Sequence, residues 1–109
     1  MTWILSDSGT TAALTIGTET TLATDNNNGT FVLEVDTSNL ANGDVLEIRI
    51  YTVTLGGGSL IQAWKGTYQH AQINNHKISP FVASDQSMRA TLNQTVGTGR
   101  TYAWKILRQ

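Results

Sequence analysis

The stretch VDTSNLANGDVLEIRIY, residues 35–51, decides the fold class. Two alternating hydrophobic runs lie on either side of a short polar segment that ends in Asn42-Gly43-Asp44. A period of two is expected for a strand covered on one side, and Asn-Gly is a favoured turn pair. We therefore predict two antiparallel strands joined by one helical turn over residues 37–42, with Leu40 covering the end of the core. The inward positions of the second strand, residues 45–54, are Leu46, Ile48 and Ile50.

Similar short runs recur along the rest of the chain, separated by Gly, Asn, Asp and a single Pro. The segments with strand character are 2–5, 12–16, 19–24, 30–36, 59–71, 76–83, 87–96 and 100–107. We expect seven or eight strands in all, no helix longer than one turn, and one domain over residues 1–109. This pattern is typical of a single antiparallel β-sandwich, with a small β-barrel as the alternative.

Glycine, proline and alternation also predict local features of these strands. The first strand should end at the turn residues Asp7-Ser8-Gly9, and Gly66 should form a bulge or bend within 59–71. Pro80 places the segment 76–83 at a sheet edge or in an irregular crossing rather than in a central strand, because proline cannot donate a backbone hydrogen bond. In the segment 87–96, the predicted inward face consists of Met88, Ala90, Leu92 and Val96.

Composition excludes several classes of function. The 109 residues are 39% hydrophobic and only 14% charged, with a net charge of −1, whereas a typical soluble domain is about 25% charged. No basic surface for phosphate backbones is expected, and therefore no direct nucleic-acid binding. The chain has no cysteine, which excludes disulfides and thiolate chemistry. We predict neither a signal peptide nor a membrane-spanning segment, and expect synthesis in the cytoplasm.

Few residues suit catalysis or metal binding. His70 and His76 lack the sequence context of a nucleophile, and their separation matches no standard zinc spacing. The segment 25–36 resembles an EF-hand loop only at its start, because Asp36 stands where a bidentate glutamate is needed. We therefore predict no catalytic, metal-binding or cofactor-binding residue.

The aromatic and apolar residues suggest interaction surfaces instead. Trp64 and Tyr68 share one face of the segment 59–71, where they either form a sugar-stacking platform or fill the core between two sheets. Trp3, Ile4 and Leu5 are consecutive, so alternation alone cannot bury all three. Residues 1–8 therefore form either an edge strand with both faces covered or an arm that reaches a neighbouring molecule. The predicted interaction residues are Trp3, Ile4, Leu5, Trp64 and Tyr68.

Three stretches carry a resemblance to a known class of protein. They are TLATDNNNGTFVLEVDTSNLANGDVLEIRIYT (21–52), AWKGTYQHA (63–71) and VGTGRTYAWKIL (96–107). From about residue 20 onward the chain resembles small virion proteins of tailed bacteriophages, in particular capsid decoration (cement) proteins. The resemblance consists of strand-and-turn patterns, so no functional residue carries over. It implies a β-sandwich on the outer capsid surface that bridges neighbouring subunits of the major capsid protein.

The expected function is accordingly structural and non-enzymatic. The partners would be the major capsid protein and neighbouring copies of this chain, with no nucleic acid, membrane or cofactor, and the location would be the virion exterior. Low charge permits close packing of many copies, and uncapped strand edges invite strand addition. The alternative is a carbohydrate- or receptor-binding module of a phage tail or fibre.

Overall fold

The structure is a computed structural model that describes residues 2–109. Met1, which belongs to the predicted domain 1–109 and to the predicted segment 1–8, lies outside the described residues. Nine antiparallel strands and no helix occur in the described chain. The strands are β1 (Ile4–Thr10), β2 (Thr20–Asp25), β3 (Gly29–Asp36), β4 (Val45–Thr52), β5 (Ile61–Gln69), β6 (His76–Ile78), β7 (Val82–Ser84), β8 (Met88–Val96) and β9 (Ala103–Arg108).

The strands form two sheets, which confirms the predicted sandwich with one or two more strands than expected. The five-stranded sheet has the order β1-β9-β3-β6, and β7 also pairs with β3. The four-stranded sheet has the order β2-β8-β4-β5. Strands β6 and β7 share one edge, because β6 pairs with the end of β3 and β7 with its beginning. Pro80 lies between them, at an edge as predicted.

One hydrophobic core lies between the sheets. Alternation places every second side chain of the central strands inside, and the predicted inward positions of β4 are all buried. Leu40 is also buried and packs against the core. The largest completely buried apolar side chains are Phe31, Leu33, Leu46, Ile48, Ile50, Met88, Leu92 and Ile106.

The N-terminal part of the chain differs from the prediction. Asp7-Ser8-Gly9 does not form a turn, because β9 supplies backbone partners and β1 continues to Thr10 with a bulge at Ser6. A Cβ at Gly9 would lie 3.3 Å from the Trp104 ring, so glycine lets β1 approach that ring. The segment 12–16 is not a strand. It crosses from one sheet to the other, with the Leu14 N–H donating to Arg100 O.

The connection between β3 and β4 is also different in detail. In place of a helical turn it has two successive hydrogen-bonded turns, in which Leu40 N–H donates to Thr37 O and Asp44 N–H to Ala41 O. The carboxylate of Asp36 accepts a hydrogen bond from the Ser38 N–H. That bond is of the N-cap type and fits the start of a helix, but the Ala41 N–H donates to Asp44 Oδ2 at 3.0 Å. It is therefore not available to Thr37 O, and the first turn does not continue as a helical turn.

The bulge in β5 lies at Ala63, because Gln62 and Trp64 pair with consecutive residues of β4. The prediction of a bulge at Gly66 was therefore wrong. Gly66 pairs regularly with Ile48, and a Cβ there would lie 2.8 Å from the Trp64 ring and 3.3 Å from the Tyr68 ring. Glycine is needed at this position because the two rings occupy the space over its Cα.

A further bulge, at Thr95 in β8, overturns the prediction for Val96. Leu46 pairs with Gln94 and Val45 with Val96, so one residue of β8 is left without a partner. The bulge turns Val96 outward, where it is 50% exposed, and leaves Gln94 completely buried. An amide therefore occupies the inner position at this end of the strand.

Candidate functional site

The outer face of the four-stranded sheet is polar. Arg49 lies 3.1 Å from Glu19 and 2.7 Å from Glu47, and Lys65 lies 3.3 Å from Glu47. Burial alone would raise the pKa of Glu19, but hydrogen bonds from Thr91 and Tyr51 and the charge of Arg49 outweigh it and lower the pKa. Opposite charges thus alternate across the strands and pair with each other, as expected of a face in contact with water.

The outer face of the five-stranded sheet carries an apolar surface instead. Leu5 pairs with Leu107, and Leu107 pairs with Val32, so these three side chains form one row across β1, β9 and β3. Phe31 and Leu33 beside Val32, and Ile106 beside Leu107, are buried in the core, which turns the row outward. We define the apolar band as this row together with the nearby apolar residues at the start of β1 and around the β6–β7 connection: Trp3, Leu5, Val32, Ile78, Phe81 and Leu107.

Two aromatic rings connect the ends of the apolar band. Trp3 precedes β1 and Phe81 precedes β7, yet their ring centroids are 5.4 Å apart with an angle of 56° between planes. Strands β9 and β3 lie between these two positions in the sheet. Contact between the rings therefore requires them to extend over the outer face. Val32 is only 4% exposed although it points away from the core, which is consistent with such a cover.

The apolar band remains largely accessible. Leu5 is 59%, Ile78 57% and Phe81 70% exposed. With the smaller contributions of Trp3 and Leu107, the exposed area is on the order of 400 Å². Patches of about 300–600 Å² are the largest found on typical monomers and often have a function. The remaining exposed large apolar side chains are on loops, at strand ends or on strand edges: Ile4, Ile16, Leu55, Ile61, Ile73 and Val96.

A charged area borders the apolar band on the same face. Glu34 is nearly buried, with Oε1 at 2.6 Å from His76 Nε2 and Oε2 at 3.8 Å from Lys105 Nζ. The neighbouring Asp36 has a lowered pKa, chiefly because Ser38 donates to it through its hydroxyl and its N–H. Together with Ser8 and Trp104 these residues line a shallow depression of about 240 Å³. Acidic and basic groups are thus paired beside the apolar band.

The other histidine has a backbone role. His70 has a positive φ of 64°, and its Nδ1 accepts a hydrogen bond from the Gly43 N–H at 2.9 Å. Its own N–H donates to Asp44 O, so it joins the end of β5 to the β3–β4 turn. Within residues 2–109, no group of three or more His, Asp or Glu side chains is arranged to hold a metal ion.

A buried polar cluster holds this end of the sandwich together. The completely buried Gln94 accepts hydrogen bonds from Tyr102 Oη and the Arg100 N–H, and donates to Thr98 O at 2.7 Å. Arg100 Nε in turn donates to Asp44 Oδ2 at 3.0 Å. Burial, with a further effect from Asp44, raises the pKa of Tyr102 to about 12. The cluster uses its polar atoms internally and joins the β8–β9 turn to the β3–β4 turn.

Acid should destabilise the fold by protonating carboxylates whose pKa values are lowered in the folded state. Burial would raise the pKa of Asp44 above its ordinary 3.8, but bonds from the Ala41 N–H, Arg100 and the Thr98 backbone outweigh it and lower the pKa. A group with a lowered folded pKa stabilises the fold above its unfolded pKa, and this stabilisation is lost as pH falls through the folded value. Asp25, Asp36 and Glu19 also have lowered pKa values. We expect the free energy of unfolding to decrease steadily below about pH 4.5.

Urea unfolding between pH 2.5 and pH 7 measures this dependence. Asp44→Asn keeps an oxygen acceptor but has no carboxyl to titrate, so its stability should depend less on acid than that of the wild type. Identical pH profiles for Asp44→Asn and the wild type would show that Asp44 makes no contribution to acid sensitivity.

The five predicted interaction residues fall into two groups that the fold does not bring together. Trp3 and Leu5 belong to the apolar band, whereas Ile4 pairs with Arg108 on the other face of β1. Residues 4–10 form an edge strand, and Ile4 and Leu5 remain about half exposed.

Trp64 and Tyr68 are in the other sheet, on the inner face of β5. They are half-buried and pack against the core. Lys77 Nζ lies 4.9 Å from the centre of the Tyr68 ring, which adds a cation–π contact between β5 and β6. The side chains that sequence reasoning missed are Val32, Ile78, Phe81 and Leu107. Of these four, only Val32 was conspicuous in the sequence, because this apolar residue breaks the alternation of β3.

The strand edges are less open than the sequence suggests. A bulge interrupts β1 at Ser6, β2 at Leu22 and β5 at Ala63. The fourth edge is divided between β6 and β7, with Pro80 between them. Bulges and proline at edges hinder the addition of another strand. Sheet faces are therefore better suited than edges to contact other molecules.

No protein family, curated protein or solved structure matches this chain. Within the described residues, the structure has no helix that could span a membrane.

Proposed function

We propose that this protein is a non-enzymatic structural module that works by packing against other protein chains. The observation that carries the proposal is the apolar band, in which exposed apolar side chains lie together on the outer face of the five-stranded sheet. An apolar patch of this size often has a function, and its border of polar residues suits contact with another protein chain. The paired charges of the four-stranded sheet bond to each other. The polar groups of the buried cluster of Asp44, Gln94, Arg100 and Tyr102 likewise bond within the chain and stabilise the fold.

The specific form of the proposal follows the sequence resemblance. The protein would be a capsid decoration protein of a tailed bacteriophage, located on the virion exterior and bound to the major capsid protein. Its weak net charge of −1 supports dense packing of many copies, because mutual repulsion is small. A sandwich with interrupted edges also stays discrete at high local concentration.

The mechanism would be stabilisation by mass action. A protein that binds only the assembled shell stabilises it by RT ln(1 + [L]/Kd), about 2.7 kcal/mol per site at 100 times Kd. Modest contacts suffice when many copies occupy a repeating lattice, because bridging between neighbouring subunits adds avidity.

Purified protein should bind expanded capsids of the phage that encodes it and raise the temperature at which they release DNA. The measurement is co-sedimentation followed by thermal disruption monitored with a DNA-binding dye. Capsids depleted of the protein are the baseline, and adding it back should restore heat resistance up to saturation. Equal heat resistance of depleted and replenished capsids would refute the decoration role.

A further inference from the structure

We infer that the apolar band is the interface of a symmetric dimer. Two copies would pack the outer faces of their five-stranded sheets together, with the twofold axis parallel to the strands and between β9 and β3. This goes beyond the proposed function, which leaves the occupant of the apolar band open. A dimer would also present every other surface twice, which suits a protein proposed to bridge neighbouring subunits.

The area of the apolar band fits such an interface. A standard interface buries about 800 Å² per partner, and about 65% of a homodimer interface is apolar. The apolar part would then be about 500 Å². The exposed apolar band, on the order of 400 Å², supplies most of it. The bordering charged area, with Glu34, His76 and Lys105, supplies a polar rim.

The shape of the face also fits. Two sheets pack face to face at about 10 Å separation when their facing side chains interdigitate. The apolar band runs across the strands from β1 to the β6–β7 connection. A twofold rotation about an axis along the strands therefore returns the band onto itself. The rotation places Leu5 of one copy near Phe81 and Ile78 of the other.

Charge complementarity selects this axis. Glu34 and Lys105 are directly paired neighbours on β3 and β9, so the proposed axis passes between them. Rotation about it places Lys105 of each copy opposite Glu34 of the other. Each copy would thereby gain two oppositely charged contacts at the rim, and like charges would not face each other at these positions. The interrupted edges described above disfavour the alternative of dimers formed by strand addition.

The first test compares two exposed apolar residues by analytical ultracentrifugation over about 1–100 μM protein. The wild type should sediment with twice the chain mass of 11.8 kDa. Phe81→Asp places a charge in the apolar band and should weaken dimerisation at least tenfold. Ile73→Asp is the matched control, because Ile73 is 98% exposed but lies in the β5–β6 loop, and it should remain dimeric. Unchanged melting temperatures check that both variants fold.

The second test is a charge exchange. Lys105→Glu places two carboxylates opposite each other across the interface and should weaken the dimer several-fold. The double variant Glu34→Lys with Lys105→Glu restores opposite charges and should recover most of the affinity. Because Glu34 also pairs with His76 and with Lys105 within the chain, the stability of each variant is measured separately by thermal melting.

The outcomes separate this inference from the proposed function. A wild type that stays monomeric at 100 μM overturns the dimer, as does a dimer that Phe81→Asp leaves intact. A monomeric protein that binds capsids and loses this binding in Phe81→Asp would assign the apolar band to the shell and also overturn the dimer. A confirmed dimer without capsid binding would instead refute only the decoration role.

Discussion

Replacing Gly99 by alanine should lower the free energy of unfolding by about 3 kcal/mol or more. A Cβ at this position would lie 1.9 Å from Leu14 O and 3.1 Å from Leu14 C. Both are backbone atoms of the segment that crosses between the sheets, so no side-chain rotation relieves the clash. The crossing would have to move, which would weaken the bond from the Leu14 N–H to Arg100 O and expose the buried Leu14.

Thermal melting and urea unfolding measure this loss. For a domain of about this size, 3 kcal/mol corresponds to a decrease in melting temperature of roughly 15 °C. Gly56→Ala is the matched control, because a Cβ at Gly56 meets only the Gln86 side chain at an ordinary 3.6 Å. Gly56 has no positive φ, so this change should alter stability by about 0.5 kcal/mol or less. Equal effects at both positions would show that Leu14 does not pack on Gly99.

Replacing Gln94 by leucine should cost about 3 kcal/mol, although the new side chain is of similar size and apolar. The amide of Gln94 bonds with Tyr102 Oη, the Arg100 N–H and Thr98 O. Leucine would leave these buried groups without partners, and each such group costs about 1–3 kcal/mol. The turn over residues 97–99 would lose a side chain that holds it in place.

Tyr102→Phe provides the comparison for Gln94→Leu. It removes one hydrogen bond but leaves Gln94 bonded to Arg100 and Thr98, so a loss of about 1 kcal/mol is expected. The double variant should lose less than the sum of the two single losses, because the variants share the bond between Tyr102 and Gln94. Additive losses in urea unfolding would show that this bond makes no contribution to stability.

Much of the fold followed from local pattern. The alternation in residues 45–52 is strict, and each position that it placed inside is buried. Pro80 also indicated correctly that the chain near residue 80 lies at an edge, because proline has no backbone N–H to donate to a neighbouring strand, whatever the surrounding structure. The errors occurred where a partner strand determines the outcome. Asp7-Ser8-Gly9 has turn chemistry but forms a strand on β9, and Val96 continues an apolar pattern that the bulge at Thr95 reverses.

The candidate site was less predictable for the same reason. Trp3 and Leu5 stood out as consecutive apolar residues, whereas Phe81 and Leu107 look like ordinary strand residues in the sequence. They join Trp3 and Leu5 only because β1 and β3 both pair with β9 and because β7 pairs with β3. Trp64 and Tyr68 lie on the same face of β5, as predicted, but the two-residue period does not indicate which face of a strand is inside.

The sequence by itself determined an all-β chain with a sandwich core, because side-chain alternation and turn chemistry act between near neighbours. It also determined a cysteine-free composition with a net charge of −1. Only the tertiary structure decided the positions of the bulges, the close approach of Leu14 to Gly99 and the gathering of the apolar band on one face. These features depend on strand register and on contacts between residues up to about a hundred positions apart, which no local pattern encodes.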